Sequence, residues 1–228
     1  MPTSKDRKPS IPSRIAWRVL RALYRARGYR LLNRPPQLDK FVLIGAPHTS
    51  NWDFVVFAGI VHEVGINPSF IGKHTLFRWP MTRFMYDMGG MPIDRSSARG
   101  FVSEVVDQVR AADAMALVIA PEGSRSSDGR WRSGFYHIAA GAGVPIVCAW
   151  MDEDTRRAGF SDAIVPTGDF HADLGRIAAF YRRAMPDCPR FDVLAEQATG
   201  EVATPARPVD PAVLAPPSQS ASPPSDSA

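Results

Sequence analysis

The chain has 228 residues, 45% of them hydrophobic, with 27 Lys and Arg against 23 Asp and Glu. That length suits one domain with appendages, and the apolar share is enough to bury a core. Two distant cysteines, Cys148 and Cys188, exclude a disulfide framework and a paired-cysteine zinc site, and they fit a reducing cytoplasm. No stretch nears the length of a membrane-spanning helix, and no signal-peptide core follows the first charges. Residues 1–34 hold ten Lys and Arg against one acid, Asp6, a balance of +9. The whole chain is +4, so residues 35–228 carry −5 and the basicity belongs to an N-terminal arm.

Residues 1–12 are polar, basic and broken by Pro, the composition of a disordered segment. Residues 13–27 predict an amphipathic helix capped by Ser13. Ala16, Val19, Leu20 and Leu23 recur at helical spacing. Arg14, Arg18, Arg21 and Arg25 form a second stripe, with Trp17 and Tyr24 beside it. Such a helix suits the surface of an anionic membrane. The competing reading packs it on the domain with its arginines in water. Nucleic acid is a third reading, but no recognition motif accompanies the arm, so no nucleic-acid partner is expected.

Residues 34–36 read as a linker, and the domain is expected over residues 37–198. Its opening is FVLIGAPHTSNWD, residues 41–53. The apolar run 41–44, closed by Gly45 and Pro47, predicts a buried strand. Residues 52–65 predict a buried helix, with Ser50 or Asn51 as its cap. His48 then lies on the turn leaving the strand, and Asp53 lies on the first helical turn. A carboxylate placed there can fix the imidazole's tautomer and steady it after proton uptake. A lone His near a lone Asp is usually coincidence, so the pair needs support from elsewhere in the chain.

Residues 69–72 predict a short strand, and His74 after it reads as a surface or loop histidine. Residues 76–88, rich in Phe, Trp and Met, predict a helix that either walls an acyl-chain tunnel or simply joins the core. GGMPIDRSS, residues 89–97, supplies two glycines, a short strand and then Asp94 and Arg95. A guanidinium at such a strand end suits a phosphate, although an Asp-Arg pair is more often a surface ion pair. Residues 97–112 predict a helix with Val102, Val105, Val106 and Val109 on one face.

MALVIA, residues 115–120, predicts an inner strand that runs into Pro121, Glu122, Gly123, Ser124 and Arg125. Open α/β sheets place their sites at such carboxyl ends. Residues 133–142 predict a helix on the sheet, with His137 as a core histidine. Residues 144–150 predict another buried strand, residues 163–165 a further short one, and residues 169–184 a helix. Residues 199–228 are a Pro, Ser and Ala tail with the composition of disorder. The fold class expected is a single α/β domain, its mostly parallel sheet flanked by helices and preceded by the amphipathic helix.

Four blocks stand in order: His48 to Asp53, Gly89 to Arg95, Glu122 to Arg125, and Val144-Pro145-Ile146. Together they resemble the glycerolipid acyltransferase family, and the APHTSNWD opening resembles its compact bacterial branch. The best-known activity of that family is 1-acylglycerol-3-phosphate acyltransferase. The resemblance runs over about residues 42–169. It implies His48 as general base with Asp53 as its partner, and Arg95 as a contact for the acceptor's phosphate. It further implies Glu122, Gly123, Ser124 and Arg125 as a second acceptor-binding block, with Val144 and Pro145 shaping the site. Three positions depart from the family's pattern. Val147 stands where a second Pro is common, Pro92 where Phe is frequent, and Ala120 where Phe often precedes the Pro. These changes leave the charged set whole and bear on acceptor or acyl-chain choice.

The resemblance implies transfer of a fatty acyl group from acyl-CoA or acyl carrier protein to a lysophospholipid hydroxyl. The favoured acceptor is 1-acyl-sn-glycerol-3-phosphate, giving phosphatidic acid. No Gly-x-Ser-x-Gly elbow occurs, so direct transfer is expected rather than an acyl-enzyme. No cofactor and no metal are expected, and the expected location is the cytoplasmic face of the membrane, peripherally bound through Arg14, Trp17, Arg18, Arg21 and Arg25. Rival readings are the same chemistry on an amino-lipid or glycolipid, a non-catalytic lipid-binding protein, and a thioester hydrolase.

Overall fold

Lys40–Ala46 forms strand β2, the centre of the sheet and the element from which the site departs. Its side chains alternate between two cores. Val42, Ile44 and Ala46 enter one, while Phe41 and Leu43 enter the other. Burial on both faces is why this strand reads as a continuous apolar run rather than as an alternating one. The computed structural model describes residues 9–48, 52–73, 77–93, 98–123 and 128–200.

Around β2 stand β1 (Arg30–Leu31), β3 (Pro68–Lys73), β4 (Gly90–Ile93), β5 (Met115–Ile119), β6 (Ile146–Asp152) and β7 (Arg157–Phe160). Among the described residues the strands run in the order β1-β7-β6-β2-β5-β3-β4. All the pairs are parallel except β6 with β7. The helices are α1 (Ile11–Arg27), α2 (Trp52–Glu63), α3 (Thr82–Asp87), α4 (Ala98–Ala111), α5 (Gly134–Ala142), α6 (Phe170–Ala184) and α7 (Arg190–Thr199). The larger core takes side chains from α4, α5, α6 and α7, including Val109, Phe135, Tyr181 and Phe191. The smaller lies under α1 and α2, with Tyr24, Val56 and Ile60. The α/β architecture and mostly parallel sheet agree with the sequence expectation.

Several boundaries differ for physical reasons. Helix α1 is capped by Ser10, whose side chain accepts from the Ser13 N–H. Ser13 is therefore inside the helix, fully buried, and its hydroxyl donates to Asp87 at 2.8 Å. The helix expected over residues 76–88 shrinks to α3, because Pro80 lacks an N–H and disfavours helical backbone at Trp79. The further short strand is Arg157–Phe160, set between β6 and β1, rather than residues 163–165, of which Ile164 forms only an isolated bridge to Ile146. Helix α7 was not expected at all. The cap assigned to Ser50 or Asn51, together with His74 and the tail from residue 201, lies outside the described residues.

Helix α1 docks on the domain. Tyr24 is buried against α2, where a Cβ on Gly59 would meet its ring at 2.1 Å. The Tyr24 hydroxyl donates to Glu63 at 2.6 Å, and Trp17 stacks on His62 at 5.9 Å between ring centroids. Trp17 and Tyr24, read from sequence as interfacial aromatics, thus turn toward α2. The outward side carries Arg14, Arg18 and Arg25 together with Ile11, Ile15, Val19 and Leu23, spaced four apart. Val19 and Leu23, which share the apolar stripe of Ala16 and Leu20 by spacing, are exposed. The packed stripe is instead Ser13, Ala16, Trp17, Leu20 and Tyr24.

Candidate active site

Pairing β2 with β5 in parallel, Ile44 opposite Ile119, brings the segments that leave both strands to one edge of the sheet. From β2 come Pro47 and His48, and from β5 come Pro121, Glu122 and Gly123. Helix α2 starts at Trp52 and carries Asp53 in its first turn, where a negative charge suits the positive end of the helix. His48 Nδ1 lies 3.2 Å from Asp53 Oδ2, with the imidazole 33% and the carboxylate 13% exposed. The pair is thus close enough to bond and open enough to be reached. With Asp53 accepting from Nδ1–H, Nε2 is left as the ring's basic nitrogen.

Glu122 sits beneath this pair with its side chain 1% exposed. Its Oε1 faces the backbone N–H of His48 at 3.4 Å, and its Oε2 accepts from Arg190 Nη1 at 2.6 Å. The carboxylate assigned from sequence to acceptor binding is therefore engaged from within the protein. Gly123 has φ +74°, a left-handed conformation that favours glycine, and a Cβ there would approach Arg132 Nε to 3.0 Å. The glycine lets the chain turn tightly beside that guanidinium.

Below the same edge, the Tyr181 hydroxyl lies 3.1 Å from Ile44 O and 3.0 Å from Ala149 O, tying α6 to β2 and β6. Burial, then the neighbouring Cys148 and Glu122, push its pKa far up, so it stays a protonated donor. Burial likewise pushes the Cys148 thiol up to about 12 and leaves it an inert core residue. His137 is half-buried against Phe170, and burial lowers its pKa, in keeping with a structural histidine.

Two expected site residues lie elsewhere. Val144 and Pro145 precede β6, and the register sets Val42 opposite Ile146. His48 is six residues further along the parallel direction, so about 20 Å separates the two ends at roughly 3.3 Å per residue. Val144 and Pro145 therefore pack the amino-terminal edge of the sheet and do not border His48. Asp94, Arg95, Ser124 and Arg125 lie outside the described residues. A groove of about 740 Å³ between residues 161–164 and α6 is lined by Arg176, Arg182 and Arg183, and none of the site residues line it.

The sequence reading missed Arg132, Arg190 and Gln197. Arg132 follows a polar loop and carried a signal only as one more cation. Arg190 reaches Glu122, and Gln197 reaches Trp131, through folding alone, Arg190 lying 68 positions after Glu122. Residues 26–152 match the family model described as Acyltransferase. No curated protein matches the chain.

Proposed function

This chain belongs to the acyltransferase family, and from that premise we propose that it moves a fatty acyl group from acyl-CoA or acyl carrier protein to the free hydroxyl of a lysophospholipid. The acceptor we propose is 1-acyl-sn-glycerol-3-phosphate, and the product is phosphatidic acid. The observation that carries this reading is the 3.2 Å pairing of His48 with Asp53 at the carboxyl edge of the sheet.

In this mechanism Nε2 of His48 takes the proton from the acceptor hydroxyl as its oxygen attacks the thioester carbonyl. The carbon–oxygen bond forms, the carbon–sulfur bond breaks, and the imidazolium returns its proton to the departing thiolate. Asp53 holds the ring and balances its positive charge between the two steps. Arg95 and Arg125 are the proposed grips on the acceptor's phosphate, each able to present a two-pronged donor. Gly123 and Ser124 belong to the same acceptor-binding block.

The acceptor is a lipid, and we propose that the protein works at an anionic membrane surface on the cytoplasmic side. The exposed Ile11, Ile15, Val19 and Leu23 on α1 support this, flanked by Arg14, Arg18 and Arg25. Trp52 and Phe54, either side of Asp53, are also exposed, as is Trp79 at 90%. Among the described residues no helix is long and apolar enough to cross a membrane, so the contact proposed is with the surface.

The test is an acceptor panel with a series of acyl-CoA and acyl carrier protein donors. Phosphatidic acid formed from lysophosphatidic acid supports the reading. Turnover restricted to an amino-lipid or glycolipid would move the acceptor, and free fatty acid without acceptor would make the protein a hydrolase. His48→Ala should lose roughly 10²–10⁴-fold in kcat while keeping its fold. Normal turnover by that folded variant would remove His48 as the base.

A further inference from the structure

We propose that Arg190 is a positioning residue for the active site, holding the Glu122 carboxylate and, through it, the backbone of His48. The proposal rests on His48 being the base. A carboxylate with its side chain 1% exposed needs a partner inside the protein to remain charged there. Arg190 Nη1 supplies it at 2.6 Å on Oε2, which aims Oε1 at the His48 N–H, 3.4 Å away. Turning this carboxylate would release the backbone that carries the imidazole and shift Nε2 relative to the acceptor hydroxyl.

A second contact ties the same helix to Trp131. Gln197, seven residues on and so on the same face of α7, is buried. Its Oε1 accepts the Trp131 N–H at 2.9 Å, and its Nε2 donates to Trp131 O at 2.8 Å. Arg190 and Gln197 therefore anchor α7 to Glu122 and to Trp131. Helix α7 lies beyond residues 26–152, the part matched by the family model. The grip is built by a segment that the matched region does not include.

The experiment compares the full-length wild type with R190M, R190K, E122Q and E122Q/R190M. It reads kcat, acceptor KM with lysophosphatidic acid, and the amide ¹⁵N–¹H resonance of His48. R190M should lower kcat roughly ten- to a hundredfold, as expected for a misplaced reacting group, with acceptor KM changing less than about threefold. R190K should recover most of the loss. The double variant should be no slower than E122Q alone, and the His48 amide should move in both R190M and E122Q. A folded R190M with kcat within about twofold of wild type and an unmoved His48 amide would overturn the proposal. So would losses that multiply in the double variant. If R190M does not fold, R190K and Arg190→Gln carry the same comparison. A wild type inactive on every acceptor would count against the proposed function, and the His48 amide would then decide the role of Arg190 separately.

Discussion

Gly59→Ala tests how α1 is held. The added Cβ would lie 2.1 Å from Cγ, 2.3 Å from Cβ and 2.7 Å from Cδ1 of Tyr24. Carbon atoms in contact sit about 3.5–4.0 Å apart, so the ring must retreat by more than about 1 Å. Tyr24 has little room to do so, because α1 is fastened on both sides of it, beyond it by Arg27 donating to Glu153 and before it by two further contacts. Ser10 N–H and the Ser13 hydroxyl donate to Asp87, and Trp17 stacks on His62. Overpacking of this kind costs about 1–3 kcal/mol, and the Tyr24–Glu63 bond to a half-open carboxylate adds about 1.5 kcal/mol when lost. The sum is about 3 kcal/mol. For a chain of this size that lowers Tm by about 6–12 °C. The assay is thermal melting together with trypsin cleavage at Arg14, Arg18 and Arg25, which should quicken as α1 lifts. Tyr24→Gly in the same background removes both the ring and its Cβ, which would lie 2.3 Å from the new one, so the double variant should cost less than the two singles combined. A Gly59→Ala protein that melts within about 2 °C of wild type with α1 equally protected would refute the packing argument.

Replacing Arg14, Arg18, Arg21 and Arg25 by Gln should release the protein from anionic vesicles. Sedimentation unchanged by the substitutions would defeat the membrane-surface reading. Arg21, which is half-buried and 3.5 Å from His62, should contribute least of the four. Asp173 gives a pH prediction. Burial pushes its carboxyl up, but bonds from the Thr167 N–H and hydroxyl, the Tyr136 hydroxyl and Arg176 outweigh this and hold its pKa below the ordinary value. The unfolded chain then binds more protons in acid. The stabilisation is complete above the ordinary carboxylate pKa of about 3.9 and is lost as pH falls through the lower folded value. Asp173→Asn should therefore flatten the acid limb of stability in melts between about pH 6 and about pH 2. An acid limb of unchanged steepness would remove Asp173 as its source.

What could be read in advance divides by the range of the interactions. Residues 41–44, 115–120 and 144–150 announced inner strands because burial on both faces leaves an unbroken apolar run, which is a local signal. His48 and Asp53 were legible as a pair because only five positions and one strand-to-helix turn separate them. The face of α1 was not legible. Its buried stripe includes Ser13, whose hydroxyl donates to Asp87 of α3, and Tyr24, which needs the glycine at position 59. Helical spacing groups Val19 and Leu23 with Ala16 and Leu20 in one apolar stripe, and spacing alone does not say which of the four pack inward. Val144 and Pro145 were misplaced because a resemblance reports order along the chain and not the end of the sheet at which a residue emerges. Arg190 and Gln197 could not be found, since nothing near them in sequence marks their partners.

Helices α6 and α7 set a lower limit on the smallest piece of this chain that can fold. Phe191 stacks on Tyr181 at 4.6 Å between ring centroids, and Tyr181 meets the edge of Trp131 at 5.4 Å. Leu174, Ile177 and Leu194 close the same side of the sheet. A fragment trimmed after residue 152 would leave that oily underside facing water and would clump. Gene truncations and fusion junctions should therefore be placed no earlier than Gly200, the left-handed stop that ends the last helix.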